Sequence, residues 1–453
     1  MANVSIVILA AGQGTRMKSA RPKVLHTLAG KALLEHVINT ASDLGASSPV
    51  VVYGHGGEQV CRALSHYQAT WVEQKEQLGT GHALLEAMPA ISGRHLLVLY
   101  GDVPLISTDT LKELNAQVSD ASMGLLTVQL DNPAGYGRII RDANGNVERI
   151  VEHKDASADE LRVHEVNTGI LAVSTSHVRR WLNKLDNQNA QGEYYLTDII
   201  AMAAEKGVKV KTVAPGAIEE VMGVNDRSQL AQLERYYQMS KAEELMKAGV
   251  TLRDPARFDL RGTLKTGQDV TIDINVIIEG DVVLGDRVNV GPNIVIRNST
   301  VGDDVMIDAN CVIDEATIAA GCRIGPFARL RPETVLAENV HIGNFVEIKK
   351  SNIGEYSKVN HLSYIGDTTM GRHVNIGAGT ITCNYDGANK HRTIIGDNVF
   401  VGSDTQFIAP VEIGNGATIG AGSTITQNAP PNELTLSRSK QQTLSGWKRP
   451  TKK

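Results

Sequence analysis

The sequence predicts two folds in one chain, an α/β Rossmann-like domain followed by a parallel β-solenoid, and three observations predict them. Short β-branched runs alternate with helical patterns up to about residue 225. From about residue 265 to 427 an aliphatic side chain recurs every six residues. The chain holds 43 glycines against only 4% aromatics, the composition of a fold with many tight turns and little room for rings.

The first strand is Ile6-Val7-Ile8-Leu9, and a helical pattern runs from Ala32 to Leu44. Val50-Val51-Val52-Tyr53, a helix over Glu58 to Leu64, a strand over His95 to Tyr100, a helix over Thr108 to Val118 and a strand over Gly124 to Leu130 follow. Strands that are apolar throughout are covered on both faces, so the sheet is expected to be largely parallel, with ligands beyond the carboxyl ends of its strands. From Asn225 to Gly249 the pattern becomes one charged run with Leu230, Leu233, Tyr237, Leu245 and Met246 at helical spacing, a long connecting helix ended by Gly249. The expected division is therefore 1–226, a linker helix 227–249, and 250–453.

In the second half Ile324, Leu330, Leu336, Ile342 and Ile348 are six apart, Ile353, Val359 and Ile365 continue, and Ile395, Val401, Phe407, Ile413, Ile419 and Ile425 resume. A period this short belongs to a β-solenoid: one aliphatic per face stacks into a continuous core, small residues take the corners, and three hexads make a coil. The register breaks between Ile381 and Ile394, where Thr382 to His391 is polar and turn-rich. Coils stack without such an extrusion, which marks it as functional.

The formal charge of -5 and pI near 6.2 argue against nucleic acid as a partner. Met1-Ala2-Asn3-Val4 lacks the positive start of a signal peptide, and the apolar run Ser5 to Ala11 is too short for a membrane span. Cys61, Cys311, Cys322 and Cys383 have no CxxC spacing and read as reduced thiols of a cytoplasmic protein. The basic tail from Lys440 through Lys448, Arg449, Lys452 and Lys453 reads as solvated chain.

After the first strand, Leu9-Ala10-Ala11-Gly12-Gln13-Gly14-Thr15-Arg16-Met17 is a small, glycine-rich turn whose backbone N–H groups suit phosphate oxygens. It is neither Walker A nor a dinucleotide fingerprint. Arg16 and Lys23 add two cations, as a charged phosphoryl transition state requires. This string through Lys23 resembles the signature of sugar-1-phosphate nucleotidyltransferases, together with Gln74, Leu78-Gly79-Thr80-Gly81 and Tyr100-Gly101-Asp102-Val103-Pro104. Asp102, at the end of a strand, is placed for Mg²⁺.

In the solenoid, His361 is a titratable base near a coil corner, accompanied by Arg331, Lys349 and the loop residues Asn384-Tyr385. Attack on a thioester needs a neutral amine, and histidine is suited to take the ammonium proton near neutral pH. Arg331 lies 30 residues before His361, a spacing of five hexads that suggests neighbouring coils bring them within reach. This half resembles the left-handed parallel β-helix of the hexapeptide-repeat acyltransferases, and handedness is implied by that resemblance alone.

Tyr136-Gly137-Arg138, Ile150 to Lys154, Glu165 to Gly169 and Gly223-Val224-Asn225 extend the likeness over nearly the whole chain. It resembles the family of bifunctional N-acetylglucosamine-1-phosphate uridyltransferases and glucosamine-1-phosphate N-acetyltransferases, which supply the precursor of peptidoglycan and lipopolysaccharide. The resemblance implies UTP and acetyl-CoA as co-substrates, Mg²⁺, and a homotrimer. It implies that Leu9, Ala10, Ala11, Gly12, Lys23, Tyr100 and Gly101 line the nucleotide-sugar site. Gln74 and the Gly79-Thr80 backbone would read uracil, Gly137, Glu152 and Asn167 hold the sugar, and Asn225 share Mg²⁺ with Asp102. In the second site it implies His361 as general base, with Arg331, Lys349, Tyr364 and Asn375 on glucosamine 1-phosphate. Ala378, Asn384, Tyr385, Ser403, Ala421 and Arg438 would line the acetyl-CoA site. Gln13 receives no role, and Met370 and His391 depart from the family pattern. The rival is a single-activity nucleotidyltransferase whose solenoid only regulates or oligomerises, and a third reading is an assembly scaffold. The His361 constellation argues against the first, and Asp102 with Arg16 and Lys23 against the second.

Overall fold

The computed structural model describes residues 3–54 and 56–452; Met1, Ala2 and Lys453, on which the readings of the chain start and tail touch, lie outside them. The chain forms two compact units, the first reaching Tyr237 and the second starting at Gln238. The dividing line falls within the helix Arg227–Lys247, so that its first turns pack Leu233 into the first unit and its later turns pack Ala242 into the second.

The first unit is built on a nine-stranded sheet. Its strands are β1 Val4–Ala10, β2 Val50–Tyr53, β3 Thr70–Glu73, β4 His95–Tyr100, β5 Ser122–Gln129, β6 Arg138–Arg141, β7 Val147–Val151, β8 Glu165–Ser174 and β9 Lys209–Val213. The helices are α1 Leu33–Asp43, α2 Gly57–Ala63, α3 Thr80–Ala87, α4 Thr108–Ala116, α5 Thr175–Leu182 and α6 Asp198–Glu205. Strand β1 shows why the sheet is covered on both faces. Ile6 and Ile8 enter one core with Leu34 and Val37 of α1 and Leu111 of α4, while Val7 and Leu9 enter another with Leu84 of α3, Val178 of α5 and Ile199 of α6. The central order is β9-β5-β8-β4-β1-β2-β3.

The expectation of a largely parallel sheet needs correction. β1 is parallel to β2 and β4, but β8 runs antiparallel to β4 and β5, and carries the antiparallel β6-β7 pair on its edge. β8 contains Asn167-Thr168-Gly169, whose small polar residues interrupt the apolar run that would have announced a strand. Its register shifts between Asn167 and Leu171, a bulge that turns this segment towards the strand ends of β4.

The second unit is a parallel β-helix. Its strands stack into one sheet of 11 strands and another of 17 that turns a corner in every coil. Equivalent residues are 17 or 18 apart, as the ladder contacts Arg287 to Asp304 and Asn275 to Asn293 show. Three hexads per coil is therefore right. Inward rows such as Ile307, Ile324, Ile342, Val359, Ile376, Val401 and Ile419 pair in strict succession and form a single buried core. Coil pairing begins at Thr251–Leu252, earlier than the sixes are legible, because the first coils alternate aliphatics with charged residues.

Two details differ from the sequence reading. The corners are not reserved for small residues: Asn293, Asn310, Glu333, Phe345, Leu362 and Asp367 all hold left-handed backbone there. A tight corner demands positive φ, which Asn and Asp tolerate, but the side chain leaves the coil outward, so its size is not limited from within. Small residues are needed one step away, beside the next coil. A Cβ on Gly377 would lie 2.5 Å from the Ser403 backbone nitrogen. At the extruded loop, Ile381 and Ile394 point outward and are 41% exposed, while Thr382 fills the inward slot between Ile365 and Phe407. Its hydroxyl accepts from the Gly366 N–H at 2.7 Å, which satisfies the polar group that the core would otherwise penalise. The loop lengthens this coil to 25 residues between Arg372 and Asp397. Inside it the Asp386 carboxylate accepts from the Ala388 and Asn389 N–H groups and meets His391 Nε2 at 2.7 Å.

Candidate active sites

In the first unit two cavities, of about 440 and 250 Å³, adjoin at Tyr100 and Asp102 beyond the carboxyl ends of β1 and β4. The larger takes Leu9, Ala10, Ala11 and Gly12 from the turn after β1, with Lys23, Gln74, Gly79 and Thr80. A Cβ at Gly12 would meet nothing within 4 Å, so the space over this turn belongs to no other part of the unit. Gly101 has the opposite reason to be glycine, since its Cβ would sit 3.0 Å from that of Ala10.

Buried Gln74 donates through Nε2 to the Gly79 carbonyl at 3.1 Å and faces His82 at 3.1 Å, which leaves its carbonyl oxygen outside both contacts. Gly79 holds φ 111, and a Cβ there would lie 2.6 Å from the Tyr194 carbonyl. This close approach lets the chain enter α3 while Gly81 N–H bonds to Tyr194 O at 2.8 Å. Gln13, given no role from sequence, donates to Gln77 at 2.8 Å on the cavity rim.

The smaller cavity carries Arg16, Tyr136, Asn225 and Gln229. Asp102 organises its floor: its carbonyl accepts the Val224 N–H at 2.9 Å, which sets Asn225 beside it. The Lys23 ammonium then bonds the Asp102 carboxylate and, at 3.2 Å, the Asn225 side-chain oxygen. Two oxygens, one from the middle of the unit and one from near its end, thus converge on one positive charge. Among the described residues no three His, Cys, Asp or Glu side chains gather to hold a metal. The Asp102-Asn225 pair nevertheless fits Mg²⁺, which takes few protein oxygens and completes its shell with water and phosphate.

Gly137, Glu152 and Asn167 also come together. Asn167 N–H bonds to Gly137 O at 2.9 Å, and a Cβ on Gly137 would stand 3.4 Å from the Glu152 carboxylate. Burial pushes the Glu152 carboxyl above the usual carboxylate range, against the Thr197 hydroxyl that donates to it at 3.0 Å. Burial, with Glu152 and Asp102 near, raises the Tyr100 hydroxyl as well, and Gly169 is required because a Cβ there would lie 2.5 Å from the Tyr100 ring.

In the second unit the coil period sorts the expected residues into two columns. One runs along a corner through Asn344, His361, Ala378, Ser403 and Ala421. Asn344 pairs with His361, Gly379 N–H bonds His361 O, Asp404 N–H bonds Ala378 O, and Gly422 N–H bonds Ser403 O. Arg438 closes it, donating to Ala421 O at 2.8 Å. The other column holds Arg331 and Lys349 on successive coils, then Gly366, with Asp367 one residue further on at the corner. Arg331 and His361 are therefore not stacked, because thirty residues is not a whole number of coils. They stand at opposite ends of one face. Tyr364 lies between, its hydroxyl over Gly366, the residue that pairs with Lys349. Asn375 sits on the neighbouring sheet, paired with Lys358 and Phe400.

His361 is exposed, and its Nδ1 faces the Asn344 side-chain oxygen at 2.9 Å. A carbonyl oxygen can only accept, so Nδ1 carries the proton and Nε2 keeps its lone pair for a substrate. Asn384 and Tyr385 diverge. Asn384 is 7% exposed and donates to Asp367, whereas Tyr385 is 59% exposed and donates to Gly387 O at 2.6 Å within the loop. Sequence reasoning missed Asn344, Asp367 and Lys390. Lys390 lies beside Lys349, and the closeness of the two amines raises Lys349, assisted by Asp367, and lowers Lys390. All four cysteines are free, and burial pushes the Cys311 and Cys322 thiols up to about 11.

Fold and site define a nucleotidyltransferase unit joined to a hexapeptide-repeat transferase unit. The MobA-like NTP transferase domain matches residues 6–168, the GMPPB C-terminal domain 260–348, and the bacterial transferase hexapeptide (six repeats) 392–427. The chain is 60% identical over 451 residues, 99% of its own length and 98% of the relative's, to the bifunctional protein GlmU of Methylococcus capsulatus. It belongs to the GlmU family. Among solved structures it is similar to a nucleotidyl transferase from Methanothermobacter thermautotroptrophicus, with 21% identity and a TM-score of 0.40 over 53% of this chain and 100% of that one.

Proposed function

We propose that the chain makes a nucleotide sugar in two steps, acetylating glucosamine 1-phosphate with acetyl-CoA in the second unit and joining the product to uridylate from UTP in the first. The observation that carries this reading is the pairing, in one chain, of the Lys23-Asp102-Asn225 cluster with a histidine whose Nε2 is free. It acts in the cytoplasm, where both co-substrates are made, as a homotrimer.

In acetyl transfer, His361 Nε2 takes a proton from the sugar ammonium, the neutral amine attacks the thioester carbonyl, and as the C–S bond breaks the second amine proton passes to the departing sulfur, so that CoA leaves as the thiol. Arg331 and Lys349 hold the phosphate, with Tyr364 and Asn375 on the sugar. Ala378, Ser403 and Ala421 give the pantetheine arm a smooth wall, with Asn384, Tyr385 and Arg438 towards the nucleotide end. In uridylyl transfer, a phosphate oxygen of N-acetylglucosamine 1-phosphate attacks the α-phosphorus of UTP and pyrophosphate departs. The attacking oxygen is already anionic and needs no base. Gln74, Gly79 and Thr80 read uracil, Gly137, Glu152 and Asn167 fix the sugar, and Arg16 and Lys23 balance the phosphoryl charge. Asp102 and Asn225 would hold Mg²⁺, which supplies further charge neutralisation when bound.

The test supplies glucosamine 1-phosphate, acetyl-CoA, UTP and Mg²⁺ and follows free CoA and pyrophosphate separately. Both are expected. Asp102→Ala should abolish pyrophosphate release alone, and His361→Ala should cut CoA release by about 10²–10⁴ while sparing uridylyl transfer to N-acetylglucosamine 1-phosphate. Loss of both activities in either folded variant refutes the assignment of separate sites.

A further inference from the structure

The left-handed corners of the β-helix form a row in which Glu315, Glu333, Lys350 and Asp367 occupy successive coils. The first three are exposed, and where Lys350 and Glu333 pair at 3.3 Å their side chains are 51% and 65% exposed. Asp367 breaks the row. It is 9% exposed, at the coil from which the extruded loop departs.

The N–H, the carbonyl and Oδ2 of Asp367 are all engaged across coils. Its N–H bonds to Lys349 O at 3.0 Å, and its carbonyl accepts the Thr393 N–H at 3.2 Å from the far end of the loop. Its Oδ2 accepts from Asn384 Nδ2 at the near end of the loop and stands 3.5 Å from Lys349 Nζ. Both ends of the loop are thus tied to one residue, which also holds a cation of the coil below. From within the loop, Lys390 brings its amine beside Lys349, which lowers it. The Asp367 carboxylate on Lys349 fixes the place of that ammonium, an arrangement that presents a preset cation to a phosphate dianion. A buried carboxylate at a corner that the preceding coils build from exposed side chains is not needed for stacking.

We infer that Asp367 is a positioning residue of the acetyl-transfer site, holding Lys349 and the Asn384 end of the loop in one arrangement so that the phosphate of the acceptor sugar meets preset cations. This rests on the acetyl-transfer reading above. Asp367 touches neither the amine nor the thioester. It acts through Lys349, and its removal should appear in acceptor binding rather than in chemistry.

The experiment uses the full chain and a double-mutant cycle. Asp367→Asn keeps an oxygen for Asn384 but removes the charge that faces Lys349. It should raise the KM for glucosamine 1-phosphate by about tenfold or more, with kcat and the KM for acetyl-CoA within about threefold of wild type. Lys349→Ala should do the same, and the double variant should be no worse than the weaker single within about threefold, because the two changes remove one interaction. Asp367→Glu, which retains the charge, should recover part of the loss. The inference is overturned by an unchanged acceptor KM in Asp367→Asn, by multiplicative effects in the double variant, or by Asp367→Glu being no better than Asp367→Asn. Should Asp367→Asn melt early, the Glu variant and the Lys349 cycle built on it carry the same decision. Wild-type protein that releases no CoA with glucosamine 1-phosphate would overturn the acetyl-transfer reading and this inference together. An active wild type with an indifferent Asp367→Asn sinks the inference alone.

Discussion

The imidazole of His361 has two nitrogens of which one is free to act, and the neighbour that settles which is Asn344, 17 residues earlier at 2.9 Å. Removing that acceptor frees the ring to flip and exchange tautomers without altering any substrate contact. Asn344→Ala should therefore lower kcat for acetyl transfer by about tenfold and leave the KM for glucosamine 1-phosphate near wild type. An unchanged kcat would mean that the ring is oriented by something else. Gly79 makes a second case, in the other unit. With φ 111 and the Tyr194 carbonyl 2.6 Å from a prospective Cβ, Gly79→Ala must shift the start of α3. The KM for UTP should rise about tenfold while CoA release is unaffected, and equal damage to both activities would contradict a local effect. These residues also mark what could be read from sequence. The turn after β1 and the string around Asp102 were legible because each is local and ends an apolar strand. The meeting of Lys23 with Asp102 and Asn225, 79 and 202 residues away, was reachable only through family resemblance. Asn344 was missed although a signal existed. Counting back one coil from His361, rather than five hexads to Arg331, lands on it.

The helix α6 shows how an element can be set against its own surroundings. Asp198 opens it, where the helix dipole favours a carboxylate, yet its pKa is raised to about 6 by burial first, then by Asp186, Glu152 and Asp155. Since the folded value lies above the unfolded one of roughly 3.9, the folded state holds the proton more tightly, and stability from this group declines as pH rises from about 4 to 6. Asp198→Asn should then stabilise the first unit at pH 7.5 by about 1 kcal/mol, a discounted figure because the side chain is only partly buried, and by nothing at pH 4.5. Denaturant melts of both proteins at the two pH values check this, and a gain of equal size at both would show that the carboxylate's charge is not the cause. At this scale the sequence was most informative where one period ran uninterrupted. β4 was placed residue for residue at His95–Tyr100, and the inward rows of the β-helix were read correctly wherever an aliphatic filled the slot. β8 was missed because a bulge with Thr168 and Gly169 hides its apolar character. Thr382 escaped because its hydroxyl is satisfied within the coil, so a polar residue could take an aliphatic's place.

Beside the His361 column the second unit carries an exposed apolar edge that its own fold does not require. Phe327, Phe345 and Leu362 follow one another on successive coils at positive φ, and they are 49%, 54% and 65% exposed. Left-handed backbone is costly for such side chains, and solvent is a poor place for them. The stacked rings of Phe327 and Phe345, 5.1 Å apart, make the edge continuous. His361 immediately precedes Leu362, and Ser403 and Ala421 of its column are also exposed, so the wall for an acetyl-CoA arm is open on the side where this edge lies. A homotrimer that packs the edge against a second copy would bury these side chains, at roughly 1.5–3 kcal/mol each, and would complete the cleft in the same act. Leu362→Asp should accordingly shift sedimentation from trimer to monomer, and acetyl transfer should fall with the trimer fraction. Uridylyl transfer, whose cavities lie wholly within the first unit, should stay within about twofold of wild type. A monomeric Leu362→Asp protein that acetylates glucosamine 1-phosphate at the wild-type rate would show that a single β-helix suffices, and a variant that remains trimeric would place the interface on another face.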